Sequence, residues 1–365
     1  MTANYTMYGA PISLYTGKLR SYLIQKSIPY DEVFSSLKVY KQTIIPKTGV
    51  RFIPVLRSPD GEYMQDTAAI IERLEQKFKT TPALPTTPKQ GLVSLLFEMW
   101  ADEWLLIPAM HYRWNKANFP YIYEEFGKVV LPWAPAWIRR IIGKKIGSKF
   151  RGFVPILGIN DNTIPAIEDW FENYVLAQLD IHFQTHDYLL GGAPTLGDYG
   201  LVGPLYAHLY MDPAPKAILQ AKAPNVVKWL ERMQQPFINN DTILANDEIP
   251  STIIPLLQDI FINFWPVVES TDRELARWTE QNNQPENLPR TIGDHTFTLN
   301  GVTSKRAILT FHQWKAQRVL DYYANLDQES KVIVDSMLDT VGGLSAMQRK
   351  PVCRVSRKNN KLVFE

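Results

Sequence analysis

The sequence has 365 residues, 45% of them hydrophobic and 21% charged, which is a globular composition in a chain too long for one ordinary core. A formal charge of +2 gives no reason to expect a nucleic-acid partner. The single cysteine, Cys353, excludes an internal disulfide framework and a CxxC redox pair. No charged-then-apolar leader heads the sequence, and no run of about 18 uninterrupted apolar residues is seen, so a soluble cytoplasmic protein with no membrane partner is expected.

Residues 5–80 alternate strand and helix signals. "YTMYGA" reads as a strand, and 15–27 carries Leu19, Tyr22 and Leu23 at helical spacing. "YDEVFSSL" reads as a second strand running into a loop. "RFIPVLRSPDGEYMQD" reads as a hairpin about Pro59-Asp60-Gly61, a turn sequence with a clear mechanism. "DTAAIIERLEQKF" then supplies a capped helix with an apolar face at Ala69, Ile70, Leu74 and Phe78. The order β-α-β-loop-β-β-α is that of a thioredoxin-like α/β layer.

"KTTPALPTTPKQG" is a linker by composition, placed at 81–91 between a first domain of 1–80 and a helical domain of 92–249. "SLLFEMWADEWLLIPAMHYRWN" predicts one long helix bent at Pro108. "TIPAIEDWFENYVLAQLDIHFQTH" and "TLGDYGLVGPLYAHLYMD" predict two more, and 115–162 reads as an irregular, basic insert holding Trp133 and Trp137. Residues 250–365 read as an extension packed on the helical domain. It has a helical start, a strand with an Asn-Gly turn, a long helix, and a closing hairpin in "PVCRVSRKNNKLVFE".

Several residues carry chemistry. Pro54 follows Ile53 in a strand that should be central, where proline is normally excluded because it cannot donate to the ladder. A cis bond would leave Ile53 backbone groups facing a cleft, where an extended peptide can pair; a trans proline at a sheet edge is the other solution. Asp66 and Thr67 open a helix, whose N–H groups can bind an anion or simply be capped. Ser13 stands ahead of the first helix, as a cap or as a hydroxyl that handles charge. In "APTLGDYGL", Thr195 and Asp198 have the spacing of a capping box, a folding determinant.

Taken in order, "YGAPISLYTGKLRSYL", "IPKTGVRFIPVL", "MQDTAAIIERLE" and "LLGGAPTLGDYGLVGPLYAHL" resemble the glutathione transferase family over about residues 5–235. The resemblance implies a thioredoxin-like domain, an all-helical domain and binding of glutathione as co-substrate. Ser13 then falls on the active position of the serine-type class, its hydroxyl donating to the glutathione sulfur, with Tyr15 and Tyr8 as fallback donors. "Ser-Leu-Tyr-Thr" replaces the commoner Ser-Pro-Tyr run and loosens that alignment by about one residue. Ile53 and Pro54 would pair with the cysteinyl unit, and Asp66 and Thr67 would hold the γ-glutamyl end. Lys47 and Arg51 are candidates for the glycine carboxylate, or a solvated surface pair. Family members are usually homodimers. The 250–365 segment has no counterpart in ordinary two-domain members.

Trp100, Trp104, Ile107, His111 and Trp114 recur at spacings of four and three, an aromatic stripe suited to core or to pocket. Trp104, His111 and Tyr112 are expected to border a site for a small hydrophobic electrophile. His182 and His186 have ligand-like spacing without an accompanying third ligand, so no metal is expected. The reading is a transferase acting on that electrophile; a non-catalytic scaffold of the same fold is the alternative, favoured by the extension.

Overall fold

The computed structural model describes residues 4–238, 241–282 and 286–365. The chain forms two compact units, Met1–Pro82 with Ala109–Val154 and Leu201–Asn240, and Ala83–Pro108 with Pro155–Gly200 and Asp241–Glu365.

In the first unit a four-stranded sheet has the order β2-β1-β3-β4. β1 (Tyr5–Gly9) runs parallel to β2 (Tyr30–Phe34) and antiparallel to β3 (Val55–Arg57), which pairs antiparallel with β4 (Tyr63–Gln65). Alternation along β1 buries Tyr5 and Met7 and leaves Thr6 and Tyr8 half-exposed. Helix α1 (Leu14–Gln25) and helix Thr67–Glu75 cover the buried face through Leu19, Leu23, Ile70 and Leu74. Tyr22 donates to Glu75 at 2.7 Å, and Lys26 pairs with the same carboxylate at 2.6 Å. α1 is also tied to helix Pro224–Arg232, where Ser21 donates to the carbonyl of Met233 and Gln25 to those of Arg232 and Gln235.

The insert read as irregular is instead a helical hairpin, Tyr121–Val130 and Ala136–Arg151, after a single turn at Lys116–Asn118. Glycines in a helix interior read as breakers, but here they let two backbones touch. A Cβ on Gly143 would lie 1.7 Å from the carbonyl oxygen of Tyr123, and one on Gly127 would lie 2.1 Å from that of Arg139. The predicted single long helix is also two, Pro88–Glu103 and Leu106–Arg113. Pro108 has no N–H for the carbonyl of Trp104 and its ring crowds that carbonyl, so the break falls one turn earlier, at Trp104–Leu105. Four residues assigned to the linker, 88–91, form the first turn of helix Pro88–Glu103, whose leading N–H groups at Lys89 and Gln90 bond to Asp247 at 2.8 and 2.9 Å.

In the second unit, helix Pro88–Glu103 is almost wholly buried. Helix Phe311–Ala324 lies along it through two charge pairs, Arg318 to Glu98 at 2.6 Å and Lys315 to Asp102 at 2.6 Å, while His312, which burial pushes below its ordinary pKa, lies 3.0 Å from Glu103. β5 (Thr291–Leu299) and β6 (Val302–Leu309) form a hairpin about the Asn300-Gly301 turn, so 302–309 is a second strand where only a turn and helix were expected. β7 (Val355–Lys358) and β8 (Lys361–Phe364) form a separate hairpin about Asn359-Asn360. Helix Gln328–Thr340, unforeseen from the sequence, is capped by Asp327. The helical run Ser251–Gln281 has the length and apolar composition to cross a membrane, which the sequence reading passed over; more than half of its most apolar window is buried, as in a core helix. Thr195 and Asp198 meet as foreseen, with Asp198 accepting from the Thr195 N–H at 2.8 Å and hydroxyl at 3.0 Å, and from the Leu189 N–H at 2.8 Å.

Burial holds His182 and His295 neutral, lowering both to about 3 from near 6.5, with His186 adding to the effect on the first and Arg306 on the second. The unfolded chain takes up these protons near pH 6.5 and the folded chain does not, so stability rises with pH between about 3 and 6.5. Urea denaturation is expected to show stability falling from pH 7 to pH 5 by up to about 1.4 kcal/mol per pH unit for each histidine. His182→Gln should flatten that slope; a stability that holds or grows on acidification contradicts the assignment.

Candidate functional site

Sheet register gathers the candidate residues of the first unit. Tyr8 in β1 stands opposite Val55 in β3, and Val55 stands opposite Gln65 in β4. The chain therefore leaves β1 toward Ser13, enters β3 from Ile53-Pro54, and leaves β4 into Asp66-Thr67 at one and the same end of the sheet. Three segments distant in sequence share an edge.

Ser13 is the N-cap of α1, with extended backbone at φ −89° and ψ 124°. Its Oγ accepts from the Thr16 N–H at 3.3 Å, and its own N–H donates to the carbonyl of Ala10 at 3.0 Å. A hydroxyl has one proton and two lone pairs, so capping consumes a lone pair and leaves the donor available. Among the described residues, that proton has no acceptor. The loop before it folds tightly onto α1: a Cβ on Gly9 would fall 2.4 Å from the Thr16 methyl, and the Ala10 N–H bonds to the Thr16 hydroxyl at 3.3 Å.

The Ile53-Pro54 bond is cis. Ile53 is half-buried, and among the described residues its backbone N–H and C=O make no hydrogen bond. Unpaired main-chain groups beside a sheet are what an added extended segment would satisfy. Arg51 is exposed and, among the described residues, forms no ion pair. Lys47, exposed on the short helix Ile45–Thr48, lies over the ring of Tyr63 at 5.7 Å.

Asp66 caps helix Thr67–Glu75 by accepting from the Ala69 N–H at 3.1 Å. Its backbone has φ 79° and ψ 126°, a region that side chains rarely occupy. Such a conformation costs about 1–3 kcal/mol and is retained where the surroundings fix it, often at binding sites. Nothing in the sequence signalled it. Thr67 is 2% exposed, yet among the described residues its hydroxyl has no hydrogen-bond partner.

The fallback donors differ in placement. Tyr8 stacks on Tyr63 with centroids 6.2 Å apart, and burial with the Tyr63 hydrogen bond raises its phenol, while Arg57 opposes the shift. A raised phenol holds its proton more firmly, which is the wrong direction for stabilising a neighbouring anion. Tyr15 is half-buried in the first turn of α1.

Sequence reasoning missed Arg113. Its guanidinium, 2% exposed, makes a bidentate pair with Asp212 at 2.9 and 2.9 Å and donates to the carbonyls of Ile12 and Ala207. Asn118 donates to the same Asp212 at 2.8 Å. The group that anchors the residue before Ser13 is thus a buried cation in a stretch noted only for its aromatics. A charge amid apolar helix positions was the signal available. His208 nearby is held neutral by burial and by this cation.

The expected acceptor residues are all buried. Trp104 is fully enclosed within the second unit, 5.4 Å from Phe264, 6.0 Å from Phe297 and 5.2 Å from the guanidinium of Arg306. His111 and Tyr112 belong to the first unit, with ring centroids 4.9 Å apart. His182 and His186 stack at 5.0 Å, and the His182 nitrogens are engaged by Thr252 at 2.7 Å and the carbonyl of Tyr188 at 3.2 Å. Among the described residues, no group of three His, Cys, Asp or Glu could hold a metal ion.

The architecture is a thioredoxin-like domain with a mixed sheet, followed by a helical domain and two small C-terminal sheets. Residues 7–82 match the family model for the glutathione S-transferase N-terminal domain, and residues 158–235 match that for the C-terminal domain. Two separate stretches of the chain thus each resemble a glutathione S-transferase domain, in the order those domains have in that family. It is similar to a solved glutathione S-transferase from Rhodospirillum rubrum F11, with 15% identity, 68% of this chain and 96% of that chain covered, and a TM-score of 0.41. A glutathione S-transferase from Methylobacterium radiotolerans JCM 2831 in complex with glutathione sulfonate matches at 19% identity, over 67% and 100% of the two chains, with a TM-score of 0.37. One from Phanerochaete chrysosporium matches at 14% identity, over 64% and 97%, with a TM-score of 0.44. The curated proteins searched gave no match.

Arg113→Met is expected to destabilise the protein by about 3–5 kcal/mol, because it leaves Asp212 as an uncompensated buried charge. Urea denaturation measures this, and the double replacement Arg113→Met with Asp212→Leu should recover much of the loss. A midpoint unmoved by the single change would contradict the anchoring role.

Proposed function

We propose that the protein is a glutathione transferase of the serine type, in which Ser13 stabilises the glutathione thiolate for attack on a small hydrophobic electrophile. The observation that carries the reading is the free donor proton of Ser13 at the start of α1, on the sheet end shared by Ile53 and Thr67. Glutathione supplies a main chain for the unpaired N–H and C=O of Ile53. Its γ-glutamyl carboxylate suits the N–H groups at the start of helix Thr67–Glu75 and the unpartnered Thr67 hydroxyl, with Asp66 for the ammonium group. Arg51 and Lys47 are the cations for the glycine carboxylate.

The chemical step needs thiolate. A free thiol with a pKa near 8.5 is only a few per cent ionised at neutral pH. Lowering it by about two units requires roughly 2.7 kcal/mol of preference for the anion. One charge-assisted hydrogen bond from Ser13 and the N-terminal end of α1 supply that amount. Ser13 therefore acts as a donor, and the sulfur is the nucleophile that forms the new bond as the leaving group departs from the electrophile. The acceptor stays a small hydrophobic electrophile as a class. Homodimer formation, a cytoplasmic location and a detoxifying role come with the family reading.

Ser13→Ala is expected to lower conjugation of glutathione to a chlorinated nitrobenzene by about 10- to 1000-fold, the range for loss of one oxyanion-type donor. Calorimetry should show glutathione still bound, since the tripeptide contacts lie elsewhere. Unchanged turnover in that variant refutes the role of Ser13, and no heat of binding with the unaltered protein refutes the transferase reading.

A further inference from the structure

The helical hairpin of the first unit carries a surface that no step of a transferase uses. Trp133 is 80% exposed, Trp137 64% and Ile141 63%, large apolar groups turned to solvent within nine residues of chain. Trp137, Ile141, Lys145 and Lys149 recur at a spacing of four and form one stripe on helix Ala136–Arg151, and Trp133 stands in the turn that leads into that helix. Gly143 and Gly147 are buried on another side of that helix, Gly143 against Tyr123 of the hairpin's first helix and Gly147 against Trp114. Packing therefore leaves the aromatic stripe outward.

Charge accompanies the rings. Helix Ala136–Arg151 has six basic residues and no acidic one. Arg139 and Arg140 pair with Glu124 at 3.1 Å each, but Lys144, Lys145 and Lys149 are exposed and, among the described residues, form no ion pair. The net charge of the whole chain is only +2, so this positive density is local.

We propose that this hairpin docks on an anionic phospholipid surface, with Trp133, Trp137 and Ile141 entering the interface and Lys144, Lys145 and Lys149 facing the headgroups. Exposed tryptophan beside lysine is the composition of a helix lying in the membrane–water boundary, where indole rings settle at headgroup depth and cations meet lipid phosphate. A protein partner fits less well, because protein interfaces are depleted in lysine. A nucleic acid would meet the lysines but leave the Ile141 side chain without a role. The site belongs to the hairpin alone and is independent of the transferase reading.

Sedimentation of the full chain with vesicles tests it. Binding is expected to vesicles of about 30% phosphatidylglycerol in phosphatidylcholine, with partitioning at least tenfold weaker to phosphatidylcholine alone and in about 0.5 M salt. Trp133→Ser with Trp137→Ser, and separately Lys144→Glu with Lys145→Glu, should each reduce binding to anionic vesicles at least tenfold. All four positions are exposed, and an unchanged circular dichroism spectrum and urea midpoint would show the variants folded. Failure of the unaltered protein to bind, equal binding to neutral vesicles, or folded variants that bind normally would overturn the proposal.

Discussion

The pairing of Tyr8 with Val55, and of Val55 with Gln65, brings three separate segments to one place. Neither Ser13, Ile53 nor Thr67 lies in a strand, and none has a distinctive chemistry alone. Because the side-chain period of a strand is two, a one-residue slip between β1 and β3 would send the buried residues of the sheet to the wrong face. The core formed by Met7, Leu56 and Ile70 therefore fixes the register, and the register places the unpaired donors. The site is a consequence of packing on the far side of the sheet.

Buried charge is the second organising feature, and it recurs in each unit. In the first, Arg113 and Asp212 fix the chain at Ile12, just ahead of Ser13. In the second, Asp102 with Lys315 and Glu98 with Arg318 align helix Phe311–Ala324 with helix Pro88–Glu103. Such pairs add little net stability compared with apolar residues of equal volume, but an offset alignment would leave charges buried and alone. Arg306 is the extreme member. It is 1% exposed, its guanidinium nitrogens have no hydrogen-bond partner among the described residues, and it rests on the rings of Trp104 and Phe297. Burial lowers it to about 10, with Glu103 opposing the shift.

Most of the thioredoxin-like layer was legible, since its strands, turns and caps are local signals. Pro59-Asp60-Gly61 marked its turn, Asp66 its cap, and Asn300-Gly301 a hairpin far downstream. What escaped depends on partners distant in sequence. Gly127 and Gly143 look like helix breakers until the opposing backbone is seen at contact distance. The aromatic stripe from Trp100 to Trp114 has a helical period, but the helix breaks at Trp104–Leu105 and the stripe passes from one unit to the other between Pro108 and Ala109. Arg113 was passed over because its worth lies in Asp212, about a hundred residues on. For the candidate site, the residue types and their order are features of the sequence, whereas the left-handed backbone of Asp66 and the spare proton of Ser13 emerge only in the fold.

The central claim is that Ser13 and the start of α1 favour a sulfur anion. Ultraviolet titration of glutathione bound to the protein measures this directly, since thiolate absorbs near 240 nm and thiol does not. The account predicts an apparent thiol pKa about two units below the free value near 8.5, returning toward that value in Ser13→Ala. Bound glutathione that ionises at its free pKa in the unaltered protein would contradict it.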